Sequence, residues 1–202
     1  MLDTSIRKLI DPALDQIAKK AVGMGVTANG TTWAGFALAM VAAFAIAQQA
    51  YWTGLFLLLL SRLCDGLDGM IARQTETTDL GGFLDIVLDF AFYGAIPLAF
   101  IFSDPAANAL AGSWLLLVFY VNGASFLTYA LMAEKRGLAE NARGSKSLLY
   151  TAGLAEGTET IVVFVLMCLW PAWFSTMAYI FSAVVVITTA SRIAMAYGAF
   201  RN

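Results

Sequence analysis

Histidine is absent from this sequence of 202 residues, which excludes every mechanism that needs an imidazole as base, acid or metal ligand. Cysteine is almost absent. Cys64 and Cys168 lie in different apolar segments and are interpreted as small buried side chains, with no support for a disulfide or a zinc site. Charged residues make up only 13% of the chain, and the formal net charge of −2 argues against a nucleic-acid partner. Any chemistry must therefore proceed without histidine or cysteine.

Hydrophobic residues, in contrast, make up 60% of the chain, and the mean hydropathy of +0.75 is typical of an integral membrane protein. Apolar length predicts six transmembrane helices. Their predicted ranges are 31–48, 52–73, 81–103, 110–133, 149–170 and 173–198. Residues 3–22 alternate apolar and charged side chains at helical spacing, which indicates an amphipathic helix in the interface plane. No repeat or linker stands out, so residues 1–202 are predicted to form one all-α membrane domain with a six-helix bundle over 31–198.

Lysine and arginine are distributed unevenly about the predicted spans. All 12 lie in the N-terminal helix, in or at the end of the second span, around the loop between spans four and five, or near the C-terminus. The other three loops contain none, so the positive-inside rule predicts that both termini are cytoplasmic. Only Asp104 among the acidic residues falls on the far side, which predicts that the acidic cluster described next opens to the cytoplasm.

Four aspartates lie in or beside the apolar runs between residues 65 and 89. Asp65 and Asp68 are spaced i, i+3 near the end of the second span, and a short polar loop follows. Asp85 and Asp89 are spaced i, i+4 at the start of the third span. Each spacing puts both carboxylates on one helix face, and the short loop should bring the two pairs to the same depth. Because one charge inside a membrane costs at least about 2.5 kcal/mol, the pattern predicts a counter-charge, namely divalent cations such as Mg²⁺ or Mn²⁺.

The residues between the aspartates indicate what such cations would hold. Small residues keep side chains away where a ligand approaches the backbone or where helices pack closely: Gly69, Ala72, Gly81 and Gly82. Arg73 offers a planar fork that binds two phosphate oxygens at once, so the set favours a pyrophosphate site. The alternative is a structural salt-bridge cluster, in which Arg62 and Arg73 would leave at least two acids uncompensated. Arg62 is as compatible with a counter-charge or capping role as with a substrate contact.

The full pattern resembles the signature of the CDP-alcohol phosphotransferases, which are integral membrane enzymes of phospholipid synthesis. In this sequence it reads Asp65-x2-Asp68-Gly69-x2-Ala72-Arg73-x7-Gly81-x3-Asp85-x3-Asp89, with eight fixed positions in 25 residues. Upstream, Asn29-x-x-Thr32 is similar to the family's Pro-Asn-x-x-Thr element, with Ala28 in the place of the proline. The six predicted spans and the amphipathic N-terminal helix also resemble the family.

The resemblance implies a reaction and roles for individual residues. Two divalent cations, Mg²⁺ or Mn²⁺, would bind the pyrophosphate of a CDP-linked lipid such as CDP-diacylglycerol and would be held by Asp65, Asp68, Asp85 and Asp89. Asp89 would also be the general base that removes a proton from the acceptor hydroxyl, with CMP as the leaving group. The nucleotide and its phosphates would be bound by Asn29, Thr32, Gly69, Ala72, Arg73 and Gly81. A homodimer among membrane lipids in a bacterial inner membrane is expected.

The acceptor is less well defined by the sequence than the CDP-linked lipid. Candidates for its pocket are the polar residues on the predicted cytoplasmic side outside the signature: Arg136, Arg143, Lys146, Glu156, Glu159 and Arg192. The basic members are equally interpretable as lipid-headgroup contacts, and the two glutamates as a solvated helix end. A phosphorylated acceptor is favoured, with glycerol 3-phosphate first because it needs the smallest pocket. Inositol phosphate, serine and a lipid headgroup stay as alternatives.

Two other functions share part of this pattern. A membrane prenyltransferase with two aspartate-rich motifs uses the same carboxylate–metal–pyrophosphate chemistry, but it would release pyrophosphate rather than CMP. The Gly69-x-x-Ala72-Arg73 element and the short chain argue against it. A cation transporter with an acidic site would explain the aspartates but leaves Arg73 in the cation path without a purpose.

Overall fold

The computed structural model describes residues 2–137 and 157–201, and all regular secondary structure within them is helical. The elements are α1 (Leu2–Gly23), α2 (Ala28–Ala47), α3 (Tyr51–Gln74), α4 (Asp79–Ser103), α5 (Pro105–Lys135), α6 (Gly157–Leu169), a 3₁₀ turn (Pro171–Trp173) and α7 (Phe174–Phe200). The predicted all-α class is therefore confirmed. The structure gives α5 31 residues, longer at both ends than the predicted span over 110–133.

Four of the described segments are long and apolar enough to cross a membrane: α2, α4, α5 and Pro171–Phe200, which contains α7. Helix α3 is also long, but its second half carries Arg62, Asp65, Asp68 and Arg73. Helix α6 is apolar but has only 13 described residues, since the predicted span over 149–170 begins outside the described part of the chain. The structure thus supports four spans by length and composition, fewer than the six predicted.

Side-chain hydrogen bonds cap the starts of α2, α4 and α5. The Thr27 hydroxyl accepts from the Gly30 amide at the start of α2, and the Thr78 hydroxyl accepts from the Gly81 amide at the start of α4. Such caps satisfy amide donors that have no partner inside the helix. At the other end of α4, the Asp104 carboxylate accepts from the Ala107 amide and starts α5. The chain therefore reverses direction twice, at defined capping residues, between α3 and α5.

Aromatic side chains fill the centre of the bundle. Phe92 of α4 packs edge-on against Phe164 of α6, with ring centroids 5.8 Å apart. Phe119 of α5 contacts the same Phe164 ring at 6.3 Å. Nearer the opposite end, Phe100 stacks on Phe174 at 4.7 Å. These rings tie the second half of α4 to α5, α6 and α7.

Helix α1 packs on the C-terminal half of α3. Its Ala18 and Ala21 are buried with Met70 and Ile71 of α3. The Gln74 side-chain amide donates to the Asp15 carboxylate at 2.7 Å, and Lys19 forms an ion pair with the same carboxylate at 2.7 Å. The hydrogen bond and charge of Lys19 lower the pKa of Asp15. Helix α1 is thereby attached beside the end of α3 that carries the signature.

Gly35 of α2 and Gly54 of α3 allow the two helices to approach closely. A Cβ at Gly54 would lie 2.5 Å from Cγ1 of Ile46 and 3.3 Å from the Ala42 carbonyl oxygen. Ile46 is fully buried and cannot move aside. A Cβ at Gly94 on α4, in contrast, would meet nothing within 4 Å.

We expect Gly54→Ala to destabilise the protein by about 1–3 kcal/mol, because overpacking forces the two helices apart. Gly94→Ala is the matched control and should be as stable as the wild type, since its added methyl group has open space and alanine favours a helix. Thermal unfolding of both variants in detergent, followed by tryptophan fluorescence, measures the difference. Equal melting temperatures for the two variants would contradict the close packing at Gly54.

Candidate active site

The signature aspartates meet between α3 and α4. Carboxylate oxygens of Asp65, Asp85 and Asp89 all lie within 4.8 Å of one another. Helices α3 and α4 both pack against α2, and their side chains, 20 or more positions apart in sequence, reach one point between them. The predicted convergence of the two pairs is therefore seen for three of the four aspartates.

Asp68 lies one turn further along α3 and is buried. Its Oδ2 atom has no hydrogen-bond partner, while the carboxylate interacts with the Thr32 side chain and the Gly69 amide. Asp68 lines the same small cavity as the other three aspartates. A buried carboxylate oxygen without a partner costs free energy unless something positive is bound there.

This donor set suits a hard divalent cation. All of the converging atoms are carboxylate oxygens, the ligand type that Mg²⁺ and Mn²⁺ prefer. The unpartnered Asp68 oxygen adds a further donor on the same cavity. Asp65, Asp68, Asp85 and Asp89 are thus able to hold such an ion.

Arg62 is the positive charge that contacts this cluster directly. Its Nη1 atom donates to Asp89 at 2.7 Å and to Asp65 at 3.3 Å. The guanidinium lies over the Phe92 ring, 3.8 Å from the centroid. The sequence left the role of Arg62 open, and the structure makes it a counter-charge that joins α3 to α4.

The residues predicted to bind the nucleotide surround the aspartates. Gly81 lies in the first turn of α4, where a Cβ would come within 3.1 Å of the Asn29 side-chain oxygen. Asn29 and Thr32 are in the first turns of α2, so the starts of α2 and α4 are neighbours. On α3, Gly69 lies one turn before Arg73, whose Nη1 would be 3.5 Å from a Cβ there. Ala72 is half-buried beside the exposed Arg73.

Arg192, one of the predicted acceptor residues, lines a cavity. It donates from Nη1 to the Asn122 carbonyl and side-chain oxygens, at 3.1 and 2.9 Å, and to the Ser125 hydroxyl at 2.8 Å. It borders a cavity of about 450 Å³ between α5 and α7, which Ser125 and Tyr129 also line. On α5, Asn122 and Ser125 therefore make interhelical hydrogen bonds, and Ser125 and Tyr129 line this cavity.

The remaining acceptor candidates lie elsewhere. Arg136 donates to the Ala199 and Phe200 carbonyls at 3.2 and 2.9 Å, which caps the C-terminal end of α7. Glu159 is half-buried in the first turn of α6. Arg143, Lys146 and Glu156 are outside the described residues.

Phe92 and Thr189 contact site residues although neither was predicted from the sequence to do so. Phe92 supports Arg62, and the Thr189 hydroxyl donates to the Asn122 side-chain oxygen at 3.1 Å. Phe92 follows Asp89 by three positions and so shares its helix face, which was the available signal. Nothing in the sequence pairs Thr189 with Asn122, because they are on different helices.

A sequence model of the CDP-alcohol phosphatidyltransferase family matches residues 25–196, most of the chain and all of the signature. The chain belongs to this family. It is accordingly a membrane enzyme of phospholipid synthesis, as the signature implied, and the family's use of divalent metal agrees with the aspartate cluster.

Relatives support the same assignment. The chain is 46% identical over 197 residues to the inner membrane protein YnjF of Escherichia coli strain K12, covering 98% of this chain and 96% of that protein. It is 40% identical over 85 residues to archaetidylinositol phosphate synthase of Methanothermobacter thermautotrophicus, covering 42% of this chain and 40% of that enzyme. The apolar helices and the first relative together indicate an integral protein of the inner membrane.

Solved structures of phosphatidylinositol phosphate synthase from Mycobacterium tuberculosis have the same fold. The structure with CDP-DAG bound superposes with a TM-score of 0.66 at 20% identity and covers 91% of this chain and 93% of that one. The structure in complex with manganese and citrate gives a TM-score of 0.67 at 19% identity, covering 91% and 88%. The homodimer expected from the resemblance stays a prediction.

Proposed function

We propose that this enzyme transfers the phosphatidyl group of CDP-diacylglycerol to the hydroxyl group of a phosphorylated alcohol and releases CMP. The observation that carries the proposal is the convergence of Asp65, Asp85 and Asp89 within 4.8 Å, beside the buried Asp68. The family signature links such a cluster to a CDP-linked substrate, and a structural neighbour binds CDP-DAG. The cation-transport alternative is not favoured, because the family is one of transferases.

Two divalent cations, Mg²⁺ or Mn²⁺, would be held by the four aspartates. When bound, they would neutralise the pyrophosphate and stabilise the charge that develops as the phosphoryl bond changes. The protein's own contribution is to keep four carboxylates at one depth between α3 and α4. Around them, Asn29 and Gly81 lie together at the starts of α2 and α4, and Arg73 is exposed near the end of α3, where its guanidinium would bind phosphate oxygens.

Asp89 is the proposed general base. Its carboxylate accepts the proton of the acceptor hydroxyl as the hydroxyl oxygen forms a bond to the phosphorus on the lipid side. The bond from that phosphorus to the bridging oxygen breaks, and CMP leaves with the electron pair. Asp89 is half-buried at the junction of the helices, where an acceptor from the cytoplasmic side and a lipid from the bilayer would both reach it.

The acceptor pocket is assigned to the cavity beside Arg192. Its volume of about 450 Å³ lies in the usual range for small-molecule sites. Arg192 is held by Asn122 and Ser125, so it is positioned without needing its ligand, and a phosphate group is the anion that a guanidinium binds best. Glycerol 3-phosphate is the first candidate. Inositol phosphate is the second, because a relative is named for an inositol phosphate product.

The topology that goes with this function has six spans, with α3 and the segment containing α6 crossing as well as the four apolar helices. Both termini and the aspartates would face the cytoplasm, and α1 would lie in the interface with its exposed Ile17, and Met24 just after the helix, toward the lipid. Single cysteines introduced near residues 4 and 50 in a Cys64→Ser and Cys168→Ser background test this in sealed vesicles. A membrane-impermeant maleimide should label them from opposite sides, and labelling of both from one side would contradict it.

Purified protein with CDP-diacylglycerol, Mn²⁺ and a panel of acceptors should release CMP with a phosphorylated alcohol and not with serine. Asp89→Asn should lower the rate by at least about 100-fold, because the base and a cation ligand are lost together. The panel comprises glycerol 3-phosphate, inositol phosphate, serine and a phospholipid, and CMP is measured by chromatography.

Asp104→Asn is the matched control for this experiment. It makes the same chemical change at the opposite end of the molecule, where asparagine caps a helix as well as aspartate does, so its rate should equal that of the wild type. Near wild-type turnover by Asp89→Asn would exclude Asp89 as the base. Release of pyrophosphate instead of CMP would exclude the reaction itself.

Arg192→Gln should raise the KM for the phosphorylated acceptor by at least about tenfold, since a charge-assisted hydrogen bond contributes about 1.5–3 kcal/mol. The KM for CDP-diacylglycerol should change little. Lys135→Gln removes an exposed positive charge at the end of α5 and should leave both values unchanged. Steady-state kinetics with each substrate varied in turn measures this, and equal rises in both KM values would place Arg192 outside the acceptor pocket.

A further inference from the structure

Arg62 occupies a position that the reaction scheme above does not use. It is an almost fully buried side chain, 11% exposed, among the acidic ligands proposed for divalent cations. Its Nη1 atom contacts one oxygen of Asp89 and one oxygen of Asp65, which belong to two different helices. A single positive atom thus joins the last turns of α3 to the first turns of α4.

The guanidinium is held from three sides. One face lies over Phe92, 3.8 Å from the ring centroid, and Nη2 donates to the Ser61 hydroxyl at 3.2 Å. Phe92 is itself fully buried and packs on Tyr93 and Phe164, so the surface beneath the guanidinium is rigid. Stacking on an aromatic face stabilises a buried cation. The position of Arg62 is therefore built into the core and is not that of a mobile surface side chain.

The Nε atom of Arg62 is buried and has no hydrogen-bond partner. An arginine held for its own hydrogen bonds would satisfy this donor, since leaving it unpaired costs free energy. The side chain instead directs Nη1 toward the two carboxylates. The ion pairs therefore decide its orientation, even at the expense of an unpaired donor.

These contacts make Arg62 a competitor of the cations for the same carboxylates. Asp65 and Asp89, together with Asp85, are the carboxylates whose oxygens converge within 4.8 Å, and Arg62 already binds two of the three. A positive charge in direct contact with a carboxylate lowers the affinity of that carboxylate for another cation. Without that charge, four carboxylates in an apolar bundle would repel one another and push α3 and α4 apart.

We propose that Arg62 is a positioning residue that acts as an internal counter-cation, holding Asp65 to Asp89 and competing with divalent cations for both carboxylates. This inference rests on the proposed divalent-cation site. It assigns two consequences to one side chain: the bundle stays assembled when the cation concentration is low, and the cation affinity is lower than four carboxylates would otherwise produce.

The test measures Mn²⁺ binding and thermal stability rather than turnover. Wild type, Arg62→Gln, Arg62→Lys and Lys20→Gln are purified as full-length chains in detergent and stripped with a chelator. Free Mn²⁺ is titrated by electron paramagnetic resonance with no lipid substrate present. Melting temperatures are recorded with chelator and with saturating Mn²⁺.

Arg62→Gln should bind Mn²⁺ at least about tenfold more tightly than the wild type, because the competing charge is gone. Its melting temperature should fall by several degrees with chelator and return to the wild-type value with Mn²⁺. Arg62→Lys keeps the charge and should stay within about threefold of the wild-type affinity. Lys20→Gln removes an exposed charge from α1 and should match the wild type in both measurements.

Folded Arg62→Gln with equal or weaker Mn²⁺ affinity would overturn the proposal, as would a loss of stability that Mn²⁺ does not restore. If Arg62→Gln does not fold, Mn²⁺ binding by Phe92→Leu tests the proposal instead, because this variant removes only the aromatic ring under the guanidinium. It should tighten Mn²⁺ binding by a few-fold, and unchanged or weaker binding would overturn the proposal. Failure of the wild type to bind Mn²⁺ would instead overturn the cation site on which the inference rests.

Discussion

The mutual repulsion of four carboxylates inside an apolar helix bundle is the constraint on which this structure depends. Asp68 is buried, Asp65 and Asp89 are half-buried and Asp85 is exposed, and the closer a carboxylate lies to the apolar interior, the more costly its charge is to maintain. Arg62 neutralises part of this charge by forming ion pairs with Asp65 and Asp89. Asp68 keeps a buried carboxylate oxygen without a hydrogen-bond partner, so the cluster that is unfavourable for the fold is suited to divalent cations.

The packing of the bundle fixes the positions of these carboxylates on α3 and α4 relative to one another. Glycines on α2 and α3 let these helices approach closely, and the aromatic side chains from Phe92 to Phe174 tie α4 to the helices behind it. Helix α1 is attached beside the end of α3 through Gln74 and Asp15. Each of these contacts restricts the relative movement of α3 and α4, and a small shift between them would separate carboxylates that must share one site.

The aspartate cluster and the cavity beside Arg192 lie toward the same end of the molecule. Asn29 of α2 meets Gly81 of α4 at this end, and Arg136 of α5 meets the end of α7. Helices α4 and α5 run antiparallel, with Gly112 against Ile101 and Gly123 against Phe90. In the proposed reaction, the acceptor and the headgroup of the CDP-linked lipid would therefore approach from one side.

The sequence by itself was sufficient for the class of fold, the family and the convergence of the aspartates. Helical periodicity is local, and the signature lies within 25 residues, so its two aspartate pairs need only one short loop to meet. The tertiary structure alone decided the partners of Arg62, the divergent positions of Arg136 and Arg192, and the pairing of Thr189 with Asn122. These depend on which face of one helix contacts another far away in the chain, and this choice follows from the packing of the whole bundle, which no local pattern encodes.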